Sequence, residues 1–470
     1  MDKSAMKKPV VRILDTVHCR ANKEARKLIL PALAYKSVAW KRGAFGRRSE
    51  KTVKQHLITG RQGTTGLFLT GLLPRIKKHC RKRGHRVKFI GRQERIRPVK
   101  PAKLKGIVFR PDQLKALRTA AKKARGRIIF PTGSGKTLIA LGIISMFDKI
   151  NSLFLCHTTD LLNQSAEEAK RFFKNVVIVG GGNKVEWKRI EQSKGVIVIA
   201  TIQSFVKYPA LCYGDFFDLV IVDEVHHANA KKSQYGKVIQ SLLAPRRYGL
   251  TATTPTKDVQ SLTNEGFFGE VIAQLTEKEG QEAGIIANVD INLVPVPYNT
   301  DLNQKCRGNY KNYYKYGIVQ NRQRNICILK EVKQSLKSGE QVLIIVEAIK
   351  HGKILKKMIK RRLHKKCDFV HGATDRQKRM EVKKLMKSGK LRLAIASRVW
   401  KEGINIPSLN HIINACGMKE EKAVIQALGR GLRTTKDKDR VKLSDFLDPY
   451  KYLAEHSILR IQVYAKKGWL

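Results

Sequence analysis

The heptapeptide Pro-Thr-Gly-Ser-Gly-Lys-Thr occupies residues 131–137 and decides the fold of this chain. It follows a short apolar run, Arg127–Phe130, and precedes an apolar helical pattern, Leu138–Phe147. A glycine-rich turn between a strand and a helix is typical of a phosphate-binding loop, because glycines let backbone N–H groups turn inward around the phosphates. The stretch therefore predicts a nucleotide site on a strand–loop–helix unit.

The loop carries the groups that ATP requires. The amino end of the following helix adds a partial positive charge, and the Lys136 ammonium can reach the β- and γ-phosphates. The hydroxyl of Thr137 is a ligand for Mg²⁺. We therefore expect ATP and Mg²⁺ as cofactors. The nucleotide-binding residues predicted in the loop are Pro131, Thr132, Gly133, Ser134, Gly135, Lys136 and Thr137.

An acidic motif, DEVH, lies downstream of the loop. Residues 219–227 read Leu-Val-Ile-Val-Asp-Glu-Val-His-His, so an apolar strand ends in two adjacent carboxylates. The carboxyl ends of strands are where α/β folds place ligand chemistry. Asp223 is predicted to hold Mg²⁺ through its water shell, and Glu224 to polarise the attacking water.

From residue 107 onward, short apolar runs alternate with helical patterns. The first series of runs is Arg127–Phe130, Ser152–Cys156, Val176–Val179, Val196–Ala200, Leu219–Val222 and Tyr248–Thr251. The second is Val342–Val346, Phe369–His371, Leu393–Ala396 and His411–Asn414. Such alternation is typical of βαβ units and a parallel sheet. We predict α/β domains at residues 107–295 and 325–450, with a C-terminal tail at 451–470.

The charge of the chain is extreme. Lys and Arg number 94 against 38 Asp and Glu, for a formal net charge of +56. A surface this basic attracts polyanions, so nucleic acid is the predicted partner, with an anionic membrane surface as the alternative. No apolar run approaches the roughly 18–20 residues of a transmembrane helix. We expect no membrane association and a cytoplasmic protein, in the host cytoplasm if the gene is viral.

Residues 1–100 form a distinct basic block with 28 Lys and Arg against 5 Asp and Glu. Within it, Gly66–Leu69 alternates like a strand, Leu72–Gly84 is amphipathic with an early proline and a closing glycine, and His85–Ile90 reads as a second strand. We predict a small α+β module that binds DNA. The prolines and glycine of residues 97–106 indicate a linker.

The order of these motifs resembles that of superfamily 2 helicases of the DEAD/DEAH-like type, over roughly residues 107–435. Arg110-Pro111-Asp112-Gln113 resembles their adenine-reading Q-motif, and the Gln113 amide can pair with adenine. Ala200–Ser204 resembles a motif that grips the nucleic-acid backbone. Leu250–Thr253 resembles the motif that couples hydrolysis to strand movement. The resemblance implies two tandem RecA-like domains, and Arg110 and Gln113 as nucleotide-binding residues.

Two further motifs lie in the second predicted domain. Glu402–Pro407, which includes Gly403, resembles motif V, and Gln426–Arg433 resembles motif VI. The resemblance implies that Arg430 and Arg433 stabilise charge on the γ-phosphate in the transition state, with Gln426 as a further catalytic residue. An ATP site divided between the two domains, and hence a motor, is the corresponding expectation.

The segment Gly66–Gly84 resembles modules that precede the motor in phage DNA repair and branch-migration helicases of the UvsW type. We therefore expect an ATP-dependent DNA helicase or translocase, acting as a monomer on forked or branched DNA in branch migration, repair, recombination or replication. Two alternatives stay open: an RNA helicase, and the motor subunit of a restriction-type complex.

Overall fold

The computed structural model places most of the chain. It describes residues 8–42, 48–61, 63–91, 96–183, 185, 190–208, 214–228, 233–252, 258–306, 309–397, 406, 408–418 and 440–470, with side chains except at 38–42, 48–51 and 376. Two compact units result, one of Met1–Phe130 and Gly135–Leu275, the other of Pro131–Ser134 and Thr276–Leu470. In the described ranges, no helix combines the length and apolar character that crossing a membrane demands.

The basic block at the start of unit 1 folds as an α+β module. Its elements are β1 (Val10–Ile13), β2 (His18–Ala21), α1 (Lys23–Ile29), β3 (Ala34–Arg42), β4 (Arg48–His56), β5 (Gly66–Leu69), α2 (Leu73–Lys82) and β6 (Lys88–Ile90). The strand order is β5-β2-β1-β6, in which β1 and β6 run parallel and the other neighbours antiparallel. Strands β3 and β4 form a separate hairpin.

The rest of unit 1 is a seven-stranded parallel sheet flanked by helices. Its elements are α3 (Pro111–Lys122), β7 (Arg125–Ile129), α4 (Lys136–Ile144), β8 (Ser152–Cys156), α5 (Thr159–Lys170), β9 (Val176–Val179), β10 (Ile197–Thr201), α6 (Ile202–Phe205), β11 (Leu219–Val222), α7 (Gln234–Ser241), β12 (Arg246–Thr251), α8 (Asp258–Phe268) and β13 (Val271–Gln274). The strand order is β13-β7-β12-β11-β8-β10-β9.

The basic module and this sheet share one hydrophobic core, in which Leu72 of the module and Phe268 of α8 are both fully buried. We call the contact between the module and helix α8 the seam, and it requires two glycines. A Cβ on Gly71 would clash with the backbone of α8, and a Cβ on Gly266 would come within 2.6 Å of Leu69 Cδ1. The module is therefore packed into the same unit as β7 and α4, the elements before and after the phosphate loop, and is not an appended arm.

Unit 2 is built on a six-stranded parallel sheet. Its elements are α9 (Glu277–Glu282), β14 (Asn288–Pro295), α10 (Thr300–Cys306), α11 (Tyr310–Asn312), a π-helical turn (Tyr313–Val319), α12 (Arg322–Lys337), β15 (Val342–Ile345), α13 (Ile349–Leu363), β16 (Asp368–Val370), α14 (Arg376–Lys387), β17 (Leu393–Ala396), β18 (His411–Asn414), β19 (Arg440–Leu447) and α15 (Lys451–Lys466). The strand order is β14-β19-β18-β15-β17-β16. The prediction of two tandem parallel α/β domains is confirmed.

The boundary between the two units differs from the domain limits expected from the sequence. β14 lies within the predicted first domain of 107–295, yet it pairs along its whole length with β19 in the second sheet. The predicted tail at 451–470 contains helix α15, whose Arg460 forms a buried ion pair with Asp445 of β19 at 2.7 Å. Tertiary pairing therefore assigns both segments to unit 2.

Two histidines are buried in the interior of unit 2. The N–H of His351 Nε2 donates to Asn325 Oδ1 at 2.8 Å, while His411 lies between the hydroxyls of Ser335 and Ser444. Burial lowers the pKa of each imidazole to about 3. Both rings are therefore neutral in the folded protein at neutral pH.

We expect the stability of the protein to fall as the pH drops below about 6.5. An unfolded histidine takes up a proton near pH 6.5, whereas the buried rings take one up only near pH 3, so the stabilisation present at neutral pH is lost on acidification. Between pH 7 and 5 this amounts to at most about 2 kcal/mol per histidine. We expect the free energy of unfolding of His411→Gln, measured in urea, to fall less between pH 7 and 5 than that of the wild type.

The matched control is His364→Gln, because His364 is exposed. This variant should keep the wild-type dependence on pH. Identical pH dependence in all three proteins would contradict a neutral, buried His411.

Candidate nucleotide site

The phosphate loop connects β7 to α4 as predicted from the sequence. Gly133 and Gly135 adopt left-handed backbone angles, with φ of +87° and +85°, which other residues rarely tolerate. The buried Ser134 hydroxyl donates to Pro131 O at 2.7 Å and holds the turn closed. Lys136 Nζ donates to Phe130 O at 3.1 Å, so the ammonium lies over the loop. The loop thus has the shape of a phosphate cradle.

Gln113 of α3 lies against this loop. Its side chain is 1% exposed, and its Oε1 accepts the Arg110 N–H at 3.2 Å, which fixes the amide orientation. A Cβ at Gly135 would come within 2.6 Å of Gln113 Nε2, so glycine is required for this approach. The Arg110 guanidinium makes a two-pronged ion pair with Asp112, at 3.0 and 2.9 Å. The structure therefore brings the predicted Q-motif to the predicted loop.

The DEVH carboxylates follow the carboxyl end of β11. Asp223 is 7% exposed, and its Oδ1 accepts the Glu224 N–H at 2.9 Å. Glu224 has φ of +50°, a strained left-handed conformation for a non-glycine residue. Such strain concentrates at functional sites, and here it turns the chain sharply between the two carboxylates.

His226 connects this motif to the end of β12. Its Nδ1 lies 3.2 Å from Glu224 Oε2 and 3.1 Å from Thr251 Oγ1. When Nδ1 carries the proton, it can donate to the Glu224 carboxylate. In the other tautomer, Nδ1 can accept a hydrogen bond from the Thr251 hydroxyl. His226 is the fourth residue of the DEVH motif, but its contact with Thr251 is not predictable from the sequence pattern. It is a positioning residue for Glu224.

The oxygen ligands present suit Mg²⁺. Asp223 offers a nearly buried carboxylate at a strand end, and Thr137 a hydroxyl in the first turn of α4. Among the described residues, no group of three or more His, Cys, Asp or Glu side chains could hold a metal. Mg²⁺ is usually held by one or two carboxylates together with substrate phosphates and water, so the residues fit this ion.

The strand order divides the carboxyl edge of the sheet. The loop follows β7, Thr251 is the last residue of β12, and Asp223 follows β11; these three strands are adjacent. The other half of the edge carries Thr201, whose hydroxyl donates to Ser204 Oγ at 2.9 Å. The predicted nucleotide residues and the predicted backbone-gripping motif therefore occupy different halves of one edge.

Four predicted site residues fall beyond what the structure describes. They are Gly403, Gln426, Arg430 and Arg433. Their roles stay predictions from the sequence.

We expect His226→Phe to lower kcat for ATP hydrolysis by about tenfold or more, equivalent to 1.4 kcal/mol, because Glu224 loses its partner. The KM for ATP should stay within about twofold, since the imidazole lies against Glu224 and Thr251, which are not residues of the phosphate loop. Steady-state ATPase kinetics measure both quantities.

The control is Thr251→Ser, which keeps the hydroxyl and should retain most of the wild-type kcat. A rise in KM without a fall in kcat for His226→Phe would show that the imidazole acts in binding instead.

Two family models match the chain. Residues 106–256 match "Type III restriction enzyme, res subunit", and residues 323–435 match "Helicase conserved C-terminal domain". The first match contains the phosphate loop and the DEVH motif. The second contains motifs V and VI as identified from the sequence.

Known proteins with similar sequences are named helicases and translocases. The chain is 28% identical to ATP-dependent DNA helicase uvsW of Enterobacteria phage T4, over 73% of this chain and 72% of that protein. It is 26% identical to DNA 3'-5' translocase XPB2 of Sulfurisphaera tokodaii, over 71% and 80%.

A solved structure supports the fold. The Type ISP restriction-modification enzyme LlaBIII bound to DNA superposes with a TM-score of 0.60 at 18% identity. The match covers 78% of this chain but only 30% of that one, so the chain spans less than a third of LlaBIII. Motif order, site geometry and both family models agree: the chain is an ATP-hydrolysing helicase of superfamily 2 that resembles T4 UvsW.

Proposed function

We propose that this helicase is a DNA motor that acts on forked or branched duplexes, in branch migration, repair, recombination or replication. The observation that carries the proposal is the seam between the basic module and the ATP-binding sheet. Arg75 of α2 makes a two-pronged ion pair with Glu265 of α8, at 2.8 and 2.7 Å. A DNA contact made by the module would therefore be held by the same unit that contains Gln113, Lys136 and Asp223.

We propose residue roles in hydrolysis that the site geometry supports. Lys136 binds the β- and γ-phosphates, Gln113 pairs with adenine, and Glu224 orients the attacking water. Mg²⁺, held by Thr137 and through water by Asp223, would neutralise charge on the phosphates. Arg110, paired with Asp112, places the backbone N–H that orients Gln113.

Helix α2 provides the DNA-binding face in this proposal. Its buried side carries Leu73, Ile76 and Cys80, while Lys78, Arg81 and Lys82 are exposed at positions i, i+3 and i+4 on the other side. No Asp or Glu occurs between Glu50 and Glu94. Contacts from such a face go to phosphates and are independent of base sequence.

The similar proteins favour DNA as the nucleic acid. T4 uvsW is named a DNA helicase and XPB2 a DNA translocase, and the LlaBIII structure contains DNA. A restriction-type motor is the second candidate, because the first family model and LlaBIII both come from restriction enzymes. A preference for forks over linear duplex distinguishes the first candidate from the second.

Lys136→Ala should abolish ATPase activity and leave DNA binding within about twofold, because the ammonium lies over the phosphate loop and not on a DNA-binding face. The measurements are ATP turnover with linear duplex, forked DNA and RNA side by side, together with DNA binding by fluorescence anisotropy. Strong residual turnover would mean that the loop is not the nucleotide site. Equal stimulation of the wild-type enzyme by RNA would contradict a DNA motor.

Substitution of the exposed α2 cations tests the fork preference without truncating the shared core. We expect the variant with Lys78, Arg81, Lys82 and Arg83 all changed to Gln to lose most of its preference for forks over linear duplex. Its slope of log affinity against log salt should fall by about 0.9 for each phosphate contact removed.

The matched control changes Lys103, Lys105, Lys115 and Arg118 to Gln, four exposed cations outside the module. It loses the same charge and should keep the fork preference. An unchanged preference in the α2 variant would exclude helix α2 as the junction-binding element.

A further inference from the structure

A second basic surface lies at the end of α13 in unit 2. The last turn of α13 and the following loop contain Lys360, Arg361, Arg362, Lys365 and Lys366, all exposed. No Asp or Glu occurs between Glu347 and Asp368. We call these five residues, together with Arg392, the amino-edge patch.

The position of the amino-edge patch follows from the topology. Because β15, β16 and β17 are parallel, the helix between β15 and β16 runs back and ends at the amino edge of the sheet. Asp368 pairs with Ala394, so Lys366 and Arg392 lie two residues before paired positions on adjacent strands. β17 itself ends at the opposite, carboxyl edge of the sheet.

The cations of the amino-edge patch form no ion pair with any residue that the structure describes. Nearby cations do: Lys378 pairs with Glu381 at 2.9 Å, and Lys442 with Glu331 at 3.1 Å. A cation at a helix carboxyl end interacts favourably with the helix dipole, which accounts for single residues such as Lys337 at the end of α12. Several adjacent cations repel one another, so folding alone does not account for the patch.

The chemistry of the amino-edge patch favours the backbone of duplex nucleic acid. Binding of single strands depends on aromatic side chains that stack on bases, and insertion into a membrane depends on exposed apolar side chains. The patch has neither. The nearby Phe369 packs closely against Gly352 and is not available as a stacking platform. Phosphate contacts by exposed Lys and Arg need no further features.

We propose that the amino-edge patch binds the phosphate backbone of a second duplex arm of a branched DNA substrate. This inference rests on the proposed function, because only a branched substrate offers more than one arm. The motor would grip one arm, while the patch holds another arm without reading its sequence. Binding at the patch strengthens the grip on junctions and leaves hydrolysis on a single linear duplex unchanged.

The test replaces all six residues of the amino-edge patch by Gln in the full chain. The control replaces six other exposed cations of unit 2, namely Lys305, Lys311, Arg322, Lys330, Lys333 and Lys466. Anisotropy measures binding to a four-way junction and to a linear duplex as long as one arm, over a range of salt concentrations. ATPase assays with saturating linear duplex measure the motor itself.

We expect the patch variant to bind the junction at least tenfold more weakly, with a shallower salt slope, while its kcat on linear duplex and its binding to linear duplex stay within twofold. The control should bind the junction like the wild type. An equal loss in patch and control variants, or an equal loss on both DNAs, overturns the proposal. So does unchanged junction binding. A different result would contradict the proposed function itself. In that case DNA would not stimulate the ATPase activity of the wild-type protein.

Discussion

The N–H of Phe130 donates to the carbonyl oxygen of Thr251 at 3.0 Å, which continues the parallel ladder in which Thr251 lies beside Ile129. The same strand, β12, pairs with β11, whose Val222 lies beside Gly249. The loop, the DEVH carboxylates and Thr251 reach one edge only because these registers hold. A slip of one residue in β12 would turn the Thr251 side chain to the other face of the sheet. It would also separate the hydroxyl from His226.

The seam between the basic module and the sheet depends on a different constraint, which is the close approach of the module backbone to the backbone of α8. Gly71 and Gly266 let the module and α8 come closer than any side chain would allow. Beside this contact, Arg125 of β7 donates to Thr16 O of the module at 2.7 Å, and burial lowers the pKa of its guanidinium to about 10. A half-buried cation and two glycines make this a tightly packed contact. The module and the ATP-binding sheet therefore form one compact unit.

Positive charge has two uses in unit 2. Inside, Arg324 and Arg460 are each paired with a buried aspartate, Asp448 or Asp445, at 2.7 Å. Breaking such a pair leaves an uncompensated buried charge, which typically destabilises a protein by about 3–5 kcal/mol. At the amino edge, by contrast, five exposed Lys and Arg lie in a stretch, residues 348–367, that contains no Asp or Glu. The buried arginines hold β19, α12 and α15 together, whereas the exposed cations of the amino-edge patch are available to a polyanion.

The sequence by itself determined the local chemistry. Gly133 and Gly135, the DEVH carboxylates and strands such as Leu219–Val222 were predictable, because loop geometry and continuous apolar runs depend on neighbouring residues. Tertiary structure alone assigned β14 and β19 to one sheet. β19 contains Arg440, Lys442 and Asp445, and the buried Asp445 pairs with Arg460 of the following helix. The seam at Gly71 and the bridge at His226 likewise join residues far apart in the chain. Such contacts depend on tertiary packing, and no local sequence pattern predicts them.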